Sequence, residues 1–268
     1  MKAVNSMLAA AAILLLSSAG PVKPPESEQY RQAALRDSNF RPTEKISFYR
    51  TYNFAPLLLF RYPGYDAVKG FIGPNCQRLQ LRLVAVRQDT ANPARYYLTG
   101  KAKVLGNLST FSGTLVLRQV RELRQLNRRT DETISPARRE GIALADYELR
   151  EDPQQAQTGV FKGVMLMKWY VDKTGRLRYD DISGIDDFRN NQFVGTWTSY
   201  ATHQTLRCNW GDYRIPNSGD FDIGAGEFSP ADKYLAFGWQ DVRDCTFGGK
   251  SEALSAAACK REKQVWWK

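Results

Sequence analysis

Five charged side chains crowd one short stretch, Trp210–Glu227 (WGDYRIPNSGDFDIGAGE): Asp212, Arg214, Asp220, Asp222 and Glu227, set among Gly211, Gly219, Gly224 and Gly226. Carboxylates two residues apart on a glycine-rich loop can present several oxygens to one hard cation such as calcium. Asp220-x-Asp222-x-Gly224 departs from the EF-hand loop, which carries a further ligand before its glycine and a glutamate later. The same carboxylates can supply acid and nucleophile for glycoside hydrolysis, which needs two carboxyls a few ångströms apart across a bond. A third reading is a hydrogen-bonded crossing between strands, with Asp side chains bonding turn amides. The pattern fits the third reading best and implies no metal or cofactor. The five residues stand as the candidate ligand-binding set.

Other chemistry is scarce. His203 is the only histidine, no Cys-x-x-Cys occurs, and there is no Gly-x-Ser-x-Gly, Walker-type loop or dinucleotide-binding fingerprint. That argues against zinc, a thioredoxin-like redox pair and a histidine-based triad, and His203 itself reads as a surface or core residue. The even count of Cys76, Cys208, Cys245 and Cys259 reads as two disulfides, with three connectivities open. The pliable Thr246–Ala258 loop can bring Cys245 and Cys259 to bonding distance, which by elimination pairs Cys76 with Cys208.

Positioning falls to strands. Leu79–Arg87, Tyr96–Val104 and Ser112–Leu123 alternate apolar with polar and are joined by turn residues, an antiparallel meander. Alternation resumes at Gly159–Trp169, turns at Asp172–Gly175, and continues through Arg176–Ile182, Gln192–Tyr200, Thr205–Ile215 and Lys233–Val242. Residues 40–75, broken by Pro42, Pro56, Pro63 and Pro74, read as short edge strands and loops. The charged stretch Arg124–Gly159 (Arg128, Arg129, Asp131, Glu132, Arg138, Arg139, Glu140) reads as an insertion, helical around Ser135–Leu149. Short helices are expected from Ser27, as cap, to Arg36 and over Ser251–Lys263, with Trp266 and Trp267 docking behind. Mainly-β architecture follows: an antiparallel barrel or sandwich over residues 40–268, after a Pro-rich tether and short helix at 20–39.

The first nineteen residues (Lys2, then Met7–Leu16, then Ser17-Ser18-Ala19) read as a signal peptide with a mature start at Gly20, too short in its apolar run to span a bilayer. Export to a periplasm or outside the cell is therefore expected. The formal charge of +10 favours an anionic ligand or envelope surface, and the mixed signs of 124–159 argue against nucleic acid.

Gly195-Thr196-Trp197, within Phe193–Tyr200 (FVGTWTSY), resembles the Gly-x-Trp strand of the calycins, the lipocalins and avidins. The resemblance implies a barrel with Trp197 packed across one end. Asn190–Pro230 also resembles a segment of exported bacterial β-rich proteins of unknown function, which implies bacterial origin and export and supplies no activity either way. An exported binding protein for an anionic or glycan-type ligand is the leading expectation. The alternatives are a hydrolase using Asp/Glu of 212–227 and a structural, envelope-associated protein.

Overall fold

Leu79, Leu81 and Leu83 alternate with Gln80 and Arg82, and this period of two turns one face of β2 (Gln77–Gln88) into a core. The same logic builds β3 (Arg95–Val104), β4 (Asn107–Glu122), β6 (Gly159–Val171), β8 (Asn190–Ser199) and β9 (Thr205–Asp212). With β1 (Val68–Ile72) and β5 (Arg139–Glu151) they form a closed eight-strand antiparallel β-barrel, β1-β2-β3-β4-β5-β6-β8-β9. The short β7 (Leu177–Tyr179) pairs with the end of β6 beyond the point where β8 stops. This computed structural model describes residues 24–61, 68–126, 137–181 and 188–268. The expected signal peptide, residues 20–23 of the tether, Pro63, Arg128, Arg129, Asp131, Glu132 and Ile182 lie outside the described residues.

Eight strands leave a lumen that side chains can fill, or that can hold one small ligand. Here side chains fill it. Tyr147, Phe161, Phe193 and Trp210 interlock, with Phe193 and Trp210 stacked at 4.9 Å and Tyr147 edge-on to Trp210 at 5.1 Å. Gly163 and Gly195 face each other across β6 and β8, and a Cβ on either would run into backbone and the Tyr147 hydroxyl. The glycine of the Gly-x-Trp motif thus makes room for Tyr147. Trp197 lies half-buried at the far end of the lumen, its Nε1 donating to Glu151 Oε2 at 2.7 Å.

The opposite end is plugged by a 3-10 turn (Ile46–Arg50) and α2 (Ala55–Leu59), which drive Phe48, Phe54, Leu57 and Leu58 into the barrel. Outside, α1 (Glu26–Arg36) lays Tyr30, Ala34 and Leu35 on Ile142, Leu144, Val164 and Leu166 of β5 and β6. The C-terminal region carries a 3-10 turn (Asp232–Phe237), α3 (Gln240–Phe247) and α4 (Glu252–Glu262), and covers the β1–β9 seam with Trp239 and Val242. None of the described helices is long and apolar enough to cross a membrane.

Four expectations are corrected. Of the segment read as helical around Ser135–Leu149, the residues from Arg139 onward belong to β5, a barrel strand paired on both sides, while Ser135 lies outside the described residues; α1 covers the outer face of β5, so Ile142-Ala143-Leu144-Ala145 is apolar throughout and shows no alternation. Lys233–Val242 is helical instead of extended, because Leu235, Trp239 and Val242 bury one face at helical spacing and Gly238, at φ 97°, separates the two turns. α1 begins at Glu26 with Pro25 before it, so Ser27 is not its cap. Finally, Cys245 and Cys259 are bonded, but Cys76 and Cys208 are free thiols: Cys208 points into the lumen and Cys76 into the cluster outside the sheet.

Candidate functional site

The sequence-predicted set does not converge. Asp222 is 2 % exposed at its side chain and pairs with Arg214 at 2.8 Å; its Oδ1 accepts from the Gly224 and Ser229 amides. Arg214 spends its remaining donors on the Gly224, Ala225 and Gly226 carbonyls. Those two side chains knot the glycine-rich crossing. Asp220 sits at the surface against Lys233 and Tyr234, and the Lys233 bond holds its carboxyl below the usual range. Glu227 is exposed. Only Asp212 turns inward, because it ends β9 on the lumen face. Of the five, only Asp212 lines either of the two cavities described below, and His203 is exposed in the β8–β9 loop. Among the described residues, no group of three or more His, Cys, Asp or Glu could hold a metal ion.

Asp212 leads to the site. It lies at the α2-plugged end of the barrel, where its Oδ2 accepts from the Tyr179 hydroxyl at 2.8 Å and from Asn191 Nδ2 at 3.0 Å. Burial pushes its carboxyl above the usual carboxylate range, with the Arg61 charge opposing. Asn191 is held at φ 42° beside the β8 bulge and also donates to the Leu57 carbonyl at 3.1 Å, tying α2 to the barrel. Its Oδ1, like Arg61 Nε, is buried without a hydrogen-bond partner. A cavity of about 10 Å³ lies among Leu58, Arg61, Asn191, Phe193, Trp210 and Asp212, room for about one water molecule.

Tyr179 connects this interior to an open groove of about 420 Å³ between α2 and the β6–β7 hairpin. Pro56, Leu57, Phe60, Tyr170, Leu177 and Tyr179 supply its apolar and aromatic walls, and Asp172, Arg178 and Asp181 its charge. The Phe60 and Tyr179 rings stack at 4.3 Å. Asp172 is fixed by its own turn: Oδ1 accepts from the Thr174 hydroxyl and amide and the Arg176 amide, and Oδ2 from Arg178 Nε at 2.8 Å. These bonds, the Thr174 hydroxyl first, hold its carboxyl far below the usual range, so Asp172 stays ionised beside Arg178. Burial pushes the Tyr179 hydroxyl far up, so it remains a donor.

The sequence pattern marks Asp172 as a hairpin residue, but it carries no signal that joins Phe60, Tyr170, Tyr179 and Arg178 into one surface. Phe60 comes from the plug, 117 residues before the start of β7, and nothing in the local pattern of either segment announces the other. No family model matches the chain, and neither does any curated protein or solved structure.

Proposed function

We propose that the chain is an exported, non-catalytic binding protein that takes a glycan-type ligand in the groove between α2 and the β6–β7 hairpin. One observation carries the reading: the groove, of about 420 Å³, pairs aromatic rings (Phe60, Tyr170, Tyr179) with fixed charge (Asp172, Arg178). Its volume falls in the range of small-ligand sites, about 300–1,000 Å³. A sugar ring offers an apolar C–H face to an aromatic ring and hydroxyls at its edge to the half-exposed Arg178 guanidinium, which Asp172 holds in place, so this mixture suits it. The lumen is a poorer candidate because its own aromatic side chains fill it. The Cys245–Cys259 disulfide accords with an oxidising compartment.

Amide chemical-shift titration tests the proposal with two probes, neutral chitotetraose and acidic tetragalacturonate. Shifts at Tyr170, Leu177 and Arg178 that vanish in Tyr170→Ala support it. No shifts with either probe, or shifts confined to another surface, overturn it.

A further inference from the structure

Three consecutive strands carry a one-sided charge. β2, β3 and β4 contain Arg78, Arg82, Arg87, Arg95, Lys101, Lys103, Arg118 and Arg121, and no Asp or Glu before Glu122. Strand alternation puts Arg82, Lys101 and Lys103 on the outer face, and the register sets Arg82 directly opposite Lys101.

The β3–β4 hairpin ends this face with an apolar tip. Leu105 stands 49 % exposed and Leu108 44 % exposed, and Leu108 is the cross-strand partner of Lys103. Leu105 also holds φ 51°, a tight-turn conformation that Asn or Gly would adopt at lower cost. An exposed leucine there opposes both solvation and backbone preference. The C-terminal residues run alongside: the Trp267 ring lies 5.2 Å from the Arg82 guanidinium, Lys101 Nζ donates to the Lys268 carbonyl at 3.2 Å, and Val265 is 42 % exposed.

We infer that the β3–β4 tip, the Lys101/Lys103 collar behind it and the Trp266–Trp267 edge form a docking surface for an anionic lipid bilayer. Leucines reach below the headgroups, tryptophan sits at the interface, and lysines meet the lipid phosphates. A soluble polyanion would use the charge and leave the leucines without a role; the leucines decide for lipid. The barrel docks by this corner and does not span, since its lumen is apolar and the outer face of β2–β4 is charged, the reverse of a bilayer-spanning barrel.

Flotation of the full chain with phosphatidylcholine/phosphatidylglycerol vesicles tests this, against vesicles of phosphatidylcholine alone and soluble polyphosphate. The wild type should float with the mixed vesicles only, with a blue shift of tryptophan fluorescence. Lys101→Glu with Lys103→Glu should weaken partitioning at least about tenfold, since each basic residue near such a surface contributes several-fold. Leu105→Asn with Leu108→Thr should also weaken it about tenfold while leaving polyphosphate binding unchanged. That pair suits the turn better, so an unchanged or raised melting temperature separates lost docking from lost folding. Tyr170→Ala, in the groove, should float as wild type. Absence of flotation, or full flotation of the leucine pair, overturns the inference.

Discussion

Cys208 and Cys76 lie on opposite sides of one sheet. Cys208 faces the lumen opposite Gly195, while Cys76 sits outside, its carbonyl accepting from Trp239 Nε1 at 2.7 Å. Neither can reach the other without inverting a strand, and burial pushes both thiols up, which keeps them protonated and slow to react. Non-reducing peptide mapping should find a single link, Cys245 to Cys259. Cys76 and Cys208 should label with a thiol reagent only after denaturation; a Cys76–Cys208 peptide would refute this.

Tyr147 spans the Gly163–Gly195 pair with a hydroxyl that is buried and has no hydrogen-bond partner. A buried unpaired hydroxyl costs about 1–3 kcal/mol, so Tyr147→Phe should leave stability unchanged or raise it by about 1 kcal/mol. Gly195→Ala should do the opposite, costing about 1–3 kcal/mol or more, as overpacking of cores does. Urea denaturation of both variants checks the pair. A Tyr147→Phe protein much weaker than wild type would mean that the hydroxyl has a partner.

At the other end of the lumen, Glu151 accepts from Trp197 Nε1, the Gly159 amide and the Ser109 hydroxyl, yet burial still raises its carboxyl. The unfolded chain ionises first, near the ordinary value of 4.5, so this group lowers stability as pH climbs from there to the folded value. Subtracting the Glu151→Gln stability profile from that of wild type should therefore give a curve that falls with rising pH above about 4.5 and then levels. Trp197→Phe, which leaves a buried acceptor short of one donor, should cost about 1.5–3 kcal/mol at neutral pH. A difference curve that rises with pH would contradict the sign.

Arg214 and Asp222 form a pair with side chains 13 % and 2 % exposed. Removing one partner of such a buried pair costs about 3–5 kcal/mol, and Asp222→Ala should fall in that range. Calcium should leave the melting temperature of the wild type unchanged, because the Asp222 oxygens are already committed to Arg214, Gly224 and Ser229. A calcium-dependent rise that Asp222→Ala abolishes would restore the cation reading of this loop.

The legible parts of the fold were strands with one wet face. β3 alternates cleanly because its outer residues meet solvent, and β2, β6 and β8 keep enough polar outer residues (Gln80, Arg82, Lys162, Lys168, Thr196) for the same pattern to show, each legible within a few residues of its observed ends. β5 hid because α1 dries its outer face, so Ile142 and Leu144 are as apolar as the lumen residues Ala143 and Ala145. Composition identified Asp212, but only topology reveals that it points away from Asp222 toward Tyr179 and Asn191. The groove was illegible for the same reason: Phe60 and Tyr179 become neighbours only after the barrel closes.

The β1–β9 seam has a consequence for synthesis. Its four register pairs, Lys69–Gly211 to Ile72–Cys208, join segments about half the chain apart. A chain whose N-terminal half has already reached the compartment where it folds can form its meander and yet carry an unpaired edge on β1 until β9 arrives. Exposed edges are templates for pairing with another copy. Phe71 and Cys76, on the outer side of this seam, stay uncovered longer still, until Trp239 and Val242 have been made. The last sixty or so residues therefore guard the nascent barrel against self-association, and chains released early should aggregate instead of persisting as smaller, partly folded barrels.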